Sequence, residues 1–224
     1  MRVRIWDLPL RLFHWLLVAA VVAAFVVAKI GGNAMVWHGR AGLLIIGLLV
    51  FRLVWGFAGS THARFASFVR GPAAIRAYLK GEWFGAGHNP IGALSVLAML
   101  GLLATQAATG LFANDDVAFE GYLYPLVNAA VSDKLTGVHK LLEPALMLLV
   151  LLHVGAIIFY TRIKKESLVL PMITGWKDLP IETPAPRSGG FVAFLVAALV
   201  AAGVVYVATG QWLPPPPVVE TPAF

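Results

Sequence analysis

Two histidines, His139 and His153, lie fourteen residues apart in one apolar segment, LTGVHKLLEPALMLLVLLHVGAIIFY. This spacing is just under four helical turns, so both imidazoles project from nearly the same side of a helix. The rise between them is about 21 Å, most of the roughly 30 Å hydrocarbon core of a bilayer. Ionisable side chains inside membrane helices usually serve a function. The pair therefore indicates two ligated cofactors at two levels across a membrane.

The composition places this pair in a membrane protein. Of the 224 residues, 59% are hydrophobic and 12% are charged, against about 25% charged in ordinary soluble domains. Five apolar segments are each long enough to cross a bilayer as a helix, namely Leu10–Ile30, Val36–Ala58, Pro90–Ala113, Leu135–Tyr160 and Phe191–Thr209. Cysteine is absent, which excludes disulfides, thiolate-held iron–sulfur clusters and covalent c-type haem attachment.

The basic residues divide unevenly between the two ends of the predicted spans. Thirteen lie on the side of the N-terminus: Arg2, Arg4, Arg11, Arg52, Arg64, Arg70, Arg76, Lys80, Arg162, Lys164, Lys165, Lys177 and Arg187. The other side carries four: Lys29, Arg40, Lys134 and Lys140. The positive-inside rule then predicts a cytoplasmic N-terminus and a periplasmic C-terminus. A basic excess that follows topology in this way does not indicate nucleic acid binding.

We predict an all-α integral membrane protein in which four spans form a haem-binding transmembrane bundle, followed by a fifth C-terminal transmembrane helix. The first domain covers residues 1–178. Residues 179–190, rich in proline, glycine and charge, form a linker. Residues 191–209 are the fifth helix, which has no histidine or charge, and residues 210–224 are a proline-rich tail.

Depth sorts the four histidines of the spans into two pairs. His14 begins the first span on the basic side, and His153 lies toward the same side in the fourth span. His38 and His139 begin the second and fourth spans on the opposite side. Three helices therefore supply four histidines at two matched levels. We expect His14 to pair with His153 and His38 to pair with His139.

Two imidazoles on facing helices suit axial ligation of haem, because the porphyrin supplies the other four nitrogens. A zinc site needs three or four protein ligands at one point, and each level offers two histidines. A proton relay is a third interpretation, although it favours carboxylates at intermediate depth, where the spans are apolar. The plainest alternative is that His14, His38 and His139 are interfacial side chains that cap helix ends.

Basic residues and glycines beside the histidines are candidates for supporting roles. Arg11, Arg40 and Lys140 each lie within three residues of a proposed ligand, where they could pair with haem propionates or simply mark helix ends. Three glycines, Gly42, Gly47 and Gly155, could leave room for a porphyrin face or serve ordinary helix packing. The loop histidines His62 and His88 are expected to be solvated or interfacial, or else to act beside a quinone or in proton delivery.

Four segments carry a resemblance to a known family: RVRIWDLPLRLFHWLLV, WHGRAGLLIIGLLVFRLVWGF, GHNPIGALSVLAML and GVHKLLEPALMLLVLLHVGAIIFYTRIKKESLVLPMITG. In content and order they resemble the bacterial cytochrome b561 family and the related b-type cytochrome subunits of nickel–iron hydrogenases, over roughly residues 2–176. The resemblance implies a four-helix core with two b-type haems, axial ligands at His14, His38, His139 and His153, and electron exchange with quinone. The fifth span and the tail depart from the simplest members.

These observations together predict an electron carrier of the bacterial inner membrane, embedded in lipid. It would connect quinone or quinol with a periplasmic partner such as a c-type cytochrome or a dehydrogenase subunit, with tunnelling between two haems. The acidic loop around Tyr122 and Tyr124 is a candidate docking or gating surface, and no residue is assigned a catalytic role. One alternative is a self-contained superoxide:quinone oxidoreductase. Another, of a different class, is a non-redox membrane anchor or transporter subunit.

Overall fold

A computed structural model describes residues 2–83, 85, 87–117, 119–179 and 186–214. Its long helices are α1 (Leu8–Ile30), α2 (Met35–Ala58), α5 (Pro90–Gly110), α6 (Ala129–Arg162) and α8 (Gly190–Ala208). Shorter elements are β1 (Arg2–Arg4), α3 (Phe65–Phe68), α4 (Pro72–Leu79), α7 (Val169–Thr174) and β2 (Trp176–Asp178). The five long helices are apolar and long enough to cross a membrane. The predicted all-α membrane architecture is confirmed.

Polar side chains set the first turns of three of these helices. Asp7 accepts a hydrogen bond from the Leu10 amide and begins α1, and Asn89 accepts one from Gly92 at the start of α5. Asn128 caps α6 in the same way. An oxygen acceptor at this position satisfies an amide that the helix itself leaves unpaired. Asn89 followed by Pro90 is a pair of residues typical of a helix start.

The observed helices follow the predicted spans closely, with one larger difference. α6 begins at Ala129, whereas the sequence predicted a span from Leu135. Six further residues therefore extend the helix beyond the predicted bilayer-crossing part. The cause is the Asn128 cap, which starts a polar helical segment that hydropathy alone does not detect. Pro144 lies inside the helix, which continues through it to Arg162.

The helix α2 occupies the centre of the bundle. It packs against α1 on one side and α8 on another, with a smaller contact to α5, while α6 packs chiefly against α5. A buried apolar cluster joins α1, α2, α5 and α6 at mid-bundle through Ala20, Ala24, Ile45, Leu49, Leu103 and Leu146. The fifth helix is therefore a full member of the bundle through α2, rather than an appendage beyond it.

A two-stranded ribbon, absent from the sequence prediction, closes the basic end of the bundle. Strand β1 pairs antiparallel with β2, so that Val3 lies opposite Lys177. This pairing brings the two ends of the predicted first domain together. Residues 180–185 of the predicted linker and residues 215–224 of the predicted tail lie outside the described residues. The predicted domain boundaries stay predictions.

Of the two roles predicted for Gly47, room for a porphyrin or helix packing, the structure supports helix packing. A Cβ built on Gly47 would lie 3.0 Å from a methyl carbon of Val205 in α8, so this glycine lets two helices approach closely. It does not offer a face to a cofactor.

We expect Gly47→Leu to loosen α8 from α2, because the added carbons must displace Val205 or the helix that carries it. Overpacking of this kind costs about 1–3 kcal/mol. The measurement is thermal unfolding of the purified protein in detergent. Gly203→Leu is the matched control, since a Cβ at Gly203 on α8 meets no atom within 4 Å. Equal unfolding temperatures for the two variants would contradict the assignment of Gly47 to this interface.

Candidate functional site

The structure brings His38 of α2 and His139 of α6 together at the end of the bundle opposite the ribbon. Their ring centroids are 6.1 Å apart and the ring planes lie at 82° to each other. Two metal–imidazole bonds of about 2 Å each, together with the two ring radii, span a similar length. The pairing predicted from depth therefore corresponds to two neighbouring rings at a separation that suits ligands on opposite faces of one metal.

Hydrogen bonds define which nitrogen of each ring is free. The Nδ1 atom of His38 lies 2.9 Å from the carbonyl oxygen of Ala24, and Nδ1 of His139 lies 2.9 Å from that of Gln106. A carbonyl can only accept a hydrogen bond, so each Nδ1 must carry the proton and each Nε2 keeps its lone pair. Metal-ligating histidines typically donate their second nitrogen to a carbonyl or carboxylate in this way. Both rings are therefore prepared as Nε2 ligands.

A narrow cavity of about 40 Å³ adjoins both rings and is lined chiefly by α2, α5 and the loop that follows α5. Gly42, one turn after His38, lines this cavity, and a Cβ built there meets no atom within 4 Å. At Gly110 a Cβ would lie 2.9 Å from the His139 ring, so only glycine leaves this ring in place. Within the described residues, α6 makes no extensive contact with α1 or α2. These features would suit a planar group such as haem held by His38 and His139.

The residues after α5 fold over this end of the bundle. Phe119 lies edge-on to His38 with ring centroids 6.4 Å apart, and Tyr122 lines the same cavity. The segment is held by the Leu123 amide, which donates to the Leu111 carbonyl, and by the Asn114 amide, which donates to Thr136. The predicted loop therefore acts as a cover over the His38 and His139 level.

The second histidine level is nearer the ribbon. His14 of α1 and His153 of α6 are close enough to interact electrostatically, and both are half-buried. The Nδ1 atom of His14 is buried and has no hydrogen-bond partner in the described residues. A buried ring nitrogen without a partner is costly. Coordination would offset that cost only through Nδ1, whereas His38 and His139 leave Nε2 free, so the ligand role of His14 rests on its closeness to His153.

His88 is packed rather than solvated, contrary to the simplest expectation for a loop histidine. Its ring lies 4.7 Å from that of Trp6 and 4.9 Å from that of Phe68. Its Nδ1 atom is buried without a partner in the described residues. Burial lowers the pKa of His88 to about 4, with smaller contributions from the charges of Arg52, His153, His14 and His62. The folded protein therefore keeps this ring neutral at physiological pH.

Acidification should weaken the fold through His88. Between the ordinary pKa of 6.5 and the folded value of about 4, the unfolded chain binds a proton that the folded chain does not, so stability falls as the pH falls through that window. We expect His88→Gln to flatten this loss, measured as unfolding temperature against pH in detergent. Arg76→Gln, an exposed change on α4, should leave the slope unaltered. An equally steep profile for His88→Gln would show that other groups cause the loss.

Arg52 does not belong among the basic residues that flank the helices at the surface. The sequence counted it among the flanking basic residues on the side of the N-terminus, but this residue of α2 is only 2% exposed. Its guanidinium lies over the rings of Phe65, at 4.7 Å, and Phe68, at 5.9 Å. The helix α3 therefore shields this guanidinium from solvent. Arg52 is not one of the surface charges that the positive-inside rule counts.

The three basic residues predicted beside the ligands have different surroundings. Arg11 donates to the carbonyl oxygen of Ile173, which holds α7 against α1. Arg40 lies over the ring of Trp37 at 4.6 Å, and Lys140 is exposed. Pairing of these side chains with haem propionates stays a prediction.

Sequence reasoning missed Gln106 and Thr109, which position His139. Besides the Gln106 carbonyl, the Gln106 side chain donates to the His139 carbonyl at 3.0 Å, and the Thr109 hydroxyl lies 3.3 Å from His139 Nδ1. A glutamine and a threonine in an otherwise apolar span were the available signal, because polar side chains inside a membrane helix need partners. Nothing in the sequence indicated that the Ala24 carbonyl orients His38.

Comparison with known proteins relates the chain to b-type cytochromes. The family model described as prokaryotic cytochrome b561 matches residues 5–175. A probable Ni/Fe-hydrogenase B-type cytochrome subunit of Azotobacter vinelandii is 28% identical, over 81% of this chain and 91% of that protein. The probable subunit of the same description from Azotobacter chroococcum mcd 1 matches to the same extent. No solved structure matches the chain.

Proposed function

Because this chain belongs to the prokaryotic cytochrome b561 family, we propose that it carries electrons across the membrane through two b-type haems, between membrane quinone and a redox partner. Family membership itself establishes that the chain is a multi-pass membrane protein, that it transfers electrons across the membrane and that it uses haem b. The two-haem stoichiometry, the quinone, the side of each terminus and the partner belong to the proposal. A single observation supports it most strongly, namely the neighbouring rings of His38 and His139, 6.1 Å apart, each with its Nδ1 atom at a backbone carbonyl.

We assign the axial ligands as two pairs, His38 with His139 and His14 with His153. Bound haem supplies a one-electron iron couple within four porphyrin nitrogens. At the first pair the chain would supply the Nε2 atoms of His38 and His139, whose rings are oriented through the carbonyls of Ala24 and Gln106. Hydrogen bonding and burial of this kind tune a metal centre. The histidines of α6 set the separation of the two levels along the bundle axis.

The basic end of the bundle is assigned to the cytoplasm of a bacterial cell, and the His38 and His139 level to the periplasmic side. The assignment rests on flanking lysines and arginines, which are retained on the cytoplasmic side during insertion. Arg52 is excluded from that argument because it is buried, and the remaining basic excess still favours the same orientation.

The partner at the periplasmic side is proposed to be a redox enzyme subunit or a c-type cytochrome. The relatives named as hydrogenase B-type cytochrome subunits support a redox enzyme. Phe119 and Tyr122 lie beside His38 in the lining of the same cavity, so electrons exchanged with a partner at this end would pass near these aromatic side chains by tunnelling.

The decisive experiment is a haem-to-protein ratio combined with a redox titration of the purified protein. We expect about two haems per chain and two resolved potentials, as bis-histidine b-type centres in different surroundings would show. Absence of a reduced b-type absorbance band in protein made with adequate haem would refute the proposal. Rapid reduction of the haems by superoxide alone would instead favour the self-contained oxidoreductase, whereas reduction only by a protein donor or quinol favours the carrier.

A further inference from the structure

A second cavity, of about 540 Å³, lies at the basic end of the bundle. Strand β1, the first residue of β2 and the starts of α1 and α8 surround it, together with the end of α2. None of the histidines lines this cavity. It is therefore separate from both histidine levels, and electron transfer does not account for it.

The rim of the cavity is cationic. Arg2, Arg4 and Arg187 line it, all three are exposed, and none forms an ion pair within the described residues. Among the described residues the one carboxylate in the lining is Asp7, whose two oxygens already accept hydrogen bonds from the Leu10 amide and the Trp55 indole. The three guanidiniums are thus available to an anion, and Asp7 is committed to the fold.

The wall of the cavity is apolar and aromatic. Trp55 is buried in it, while Leu8, Phe191 and Phe194 expose 48%, 73% and 37% of their surfaces. Trp176 lies at the rim, with the Arg2 guanidinium 5.7 Å from its ring. Exposed aromatic side chains beside arginines at helix ends are typical of the membrane–water interface. The cavity combines an anion-binding rim with a wall that excludes water.

We propose that this cavity binds one anionic phospholipid. Its phosphate would meet Arg2, Arg4 and Arg187, which present planar donors that match phosphate oxygens, and an acyl chain would lie against Phe191 and Phe194. A soluble phosphate compound would satisfy the rim alone and leave the apolar wall exposed. Basic pockets between membrane helices on the cytoplasmic side are suited to lipid headgroups of this kind. The bound lipid would fasten α8 and the ribbon to the bundle.

The test is binding of phosphatidylglycerol to the purified full chain by native mass spectrometry, with thermal unfolding as a second readout. We expect phosphatidylglycerol to bind and to raise the unfolding temperature, and phosphatidylcholine to do neither. Removal of one surface cation weakens attraction to an anionic lipid about fivefold, so Arg4→Gln with Arg187→Gln should weaken binding more than tenfold. The charge-retaining pair Arg4→Lys with Arg187→Lys should keep most of it.

Arg76→Gln is the matched control, because Arg76 is exposed on α4 at the same end and does not line the cavity. It should bind phosphatidylglycerol like the unchanged protein. Equal binding of phosphatidylcholine, or full binding by the double glutamine variant, would overturn the proposal. Competition by millimolar inorganic phosphate without any lipid preference would identify a site for a free anion instead and would also overturn it.

Discussion

Replacing His139 with alanine is expected to lower the haem content from about two per chain to about one and to abolish one of two redox transitions, because a bis-histidine centre loses half of its protein ligation. The haem that remains should be the one assigned to His14 and His153. His139 is the more sharply defined target of its pair, since its Nδ1 is held at 2.9 Å from the Gln106 carbonyl and its ring faces His38. The measurement is haem per protein together with a redox titration.

Replacing His153 with alanine should give the reciprocal result and remove the other transition. His62→Ala is the control, because His62 lies between α2 and α3, outside the four membrane-spanning positions, and should leave both transitions intact. Retention of both haems in either ligand variant would show that the pairing is wrong. Loss of a haem in His62→Ala would assign a ligand that depth did not predict.

Gly42→Leu is expected to remove most of the haem at the His38 and His139 level while the polypeptide still folds. A Cβ at Gly42 meets no protein atom within 4 Å, so the protein alone has room for a larger side chain. Gly42 nevertheless lines the cavity that adjoins the two rings, where the leucine would occupy space needed by a macrocycle. The expected readout is about half the haem content with an unchanged helical circular dichroism spectrum.

Gly203→Leu is the matched control for this experiment. Its Cβ position is equally open, but Gly203 lies on α8 and lines neither of the two cavities. We expect full haem content in that variant. Full haem content in Gly42→Leu as well would mean that the macrocycle does not lie against this face of α2, and the assignment of the cavity would then be withdrawn.

The helices could be predicted from the sequence to within about three residues at most ends, because hydrophobic length and polar caps are local properties. The start of α6 is the exception. The segment from Ala129 is polar enough to look like a loop, and its helical state depends on the Asn128 cap and on Ser132, which is fully buried and hydrogen-bonded to Asn114 and Phe112. Contacts between distant segments stabilise this turn, and hydropathy does not record them.

For the candidate site, too, one part could be predicted from the sequence and another part could not. Depth along the spans was sufficient to predict that His38 and His139 lie at one level, and the structure brings those rings together. Orientation of the rings depended on carbonyls of Ala24 and Gln106, which every residue possesses and which therefore leave no mark in a sequence. Likewise, Gly42 and Gly47 are five residues apart on one helix, yet one faces a cavity and the other faces α8.

The sequence alone determined how many helices can cross a membrane, how deep each histidine lies and which end is basic. It could do so because a bilayer acts along one dimension and requires every spanning segment to satisfy its own backbone. Only the tertiary structure decided how each helix is rotated about its axis and which neighbour it meets. The tertiary structure packs the loop residue His88 against Trp6, sets Gly47 against α8 and collects three arginines around one cavity. Such choices result from side-chain packing between segments far apart in the chain, which hydropathy and spacing do not contain.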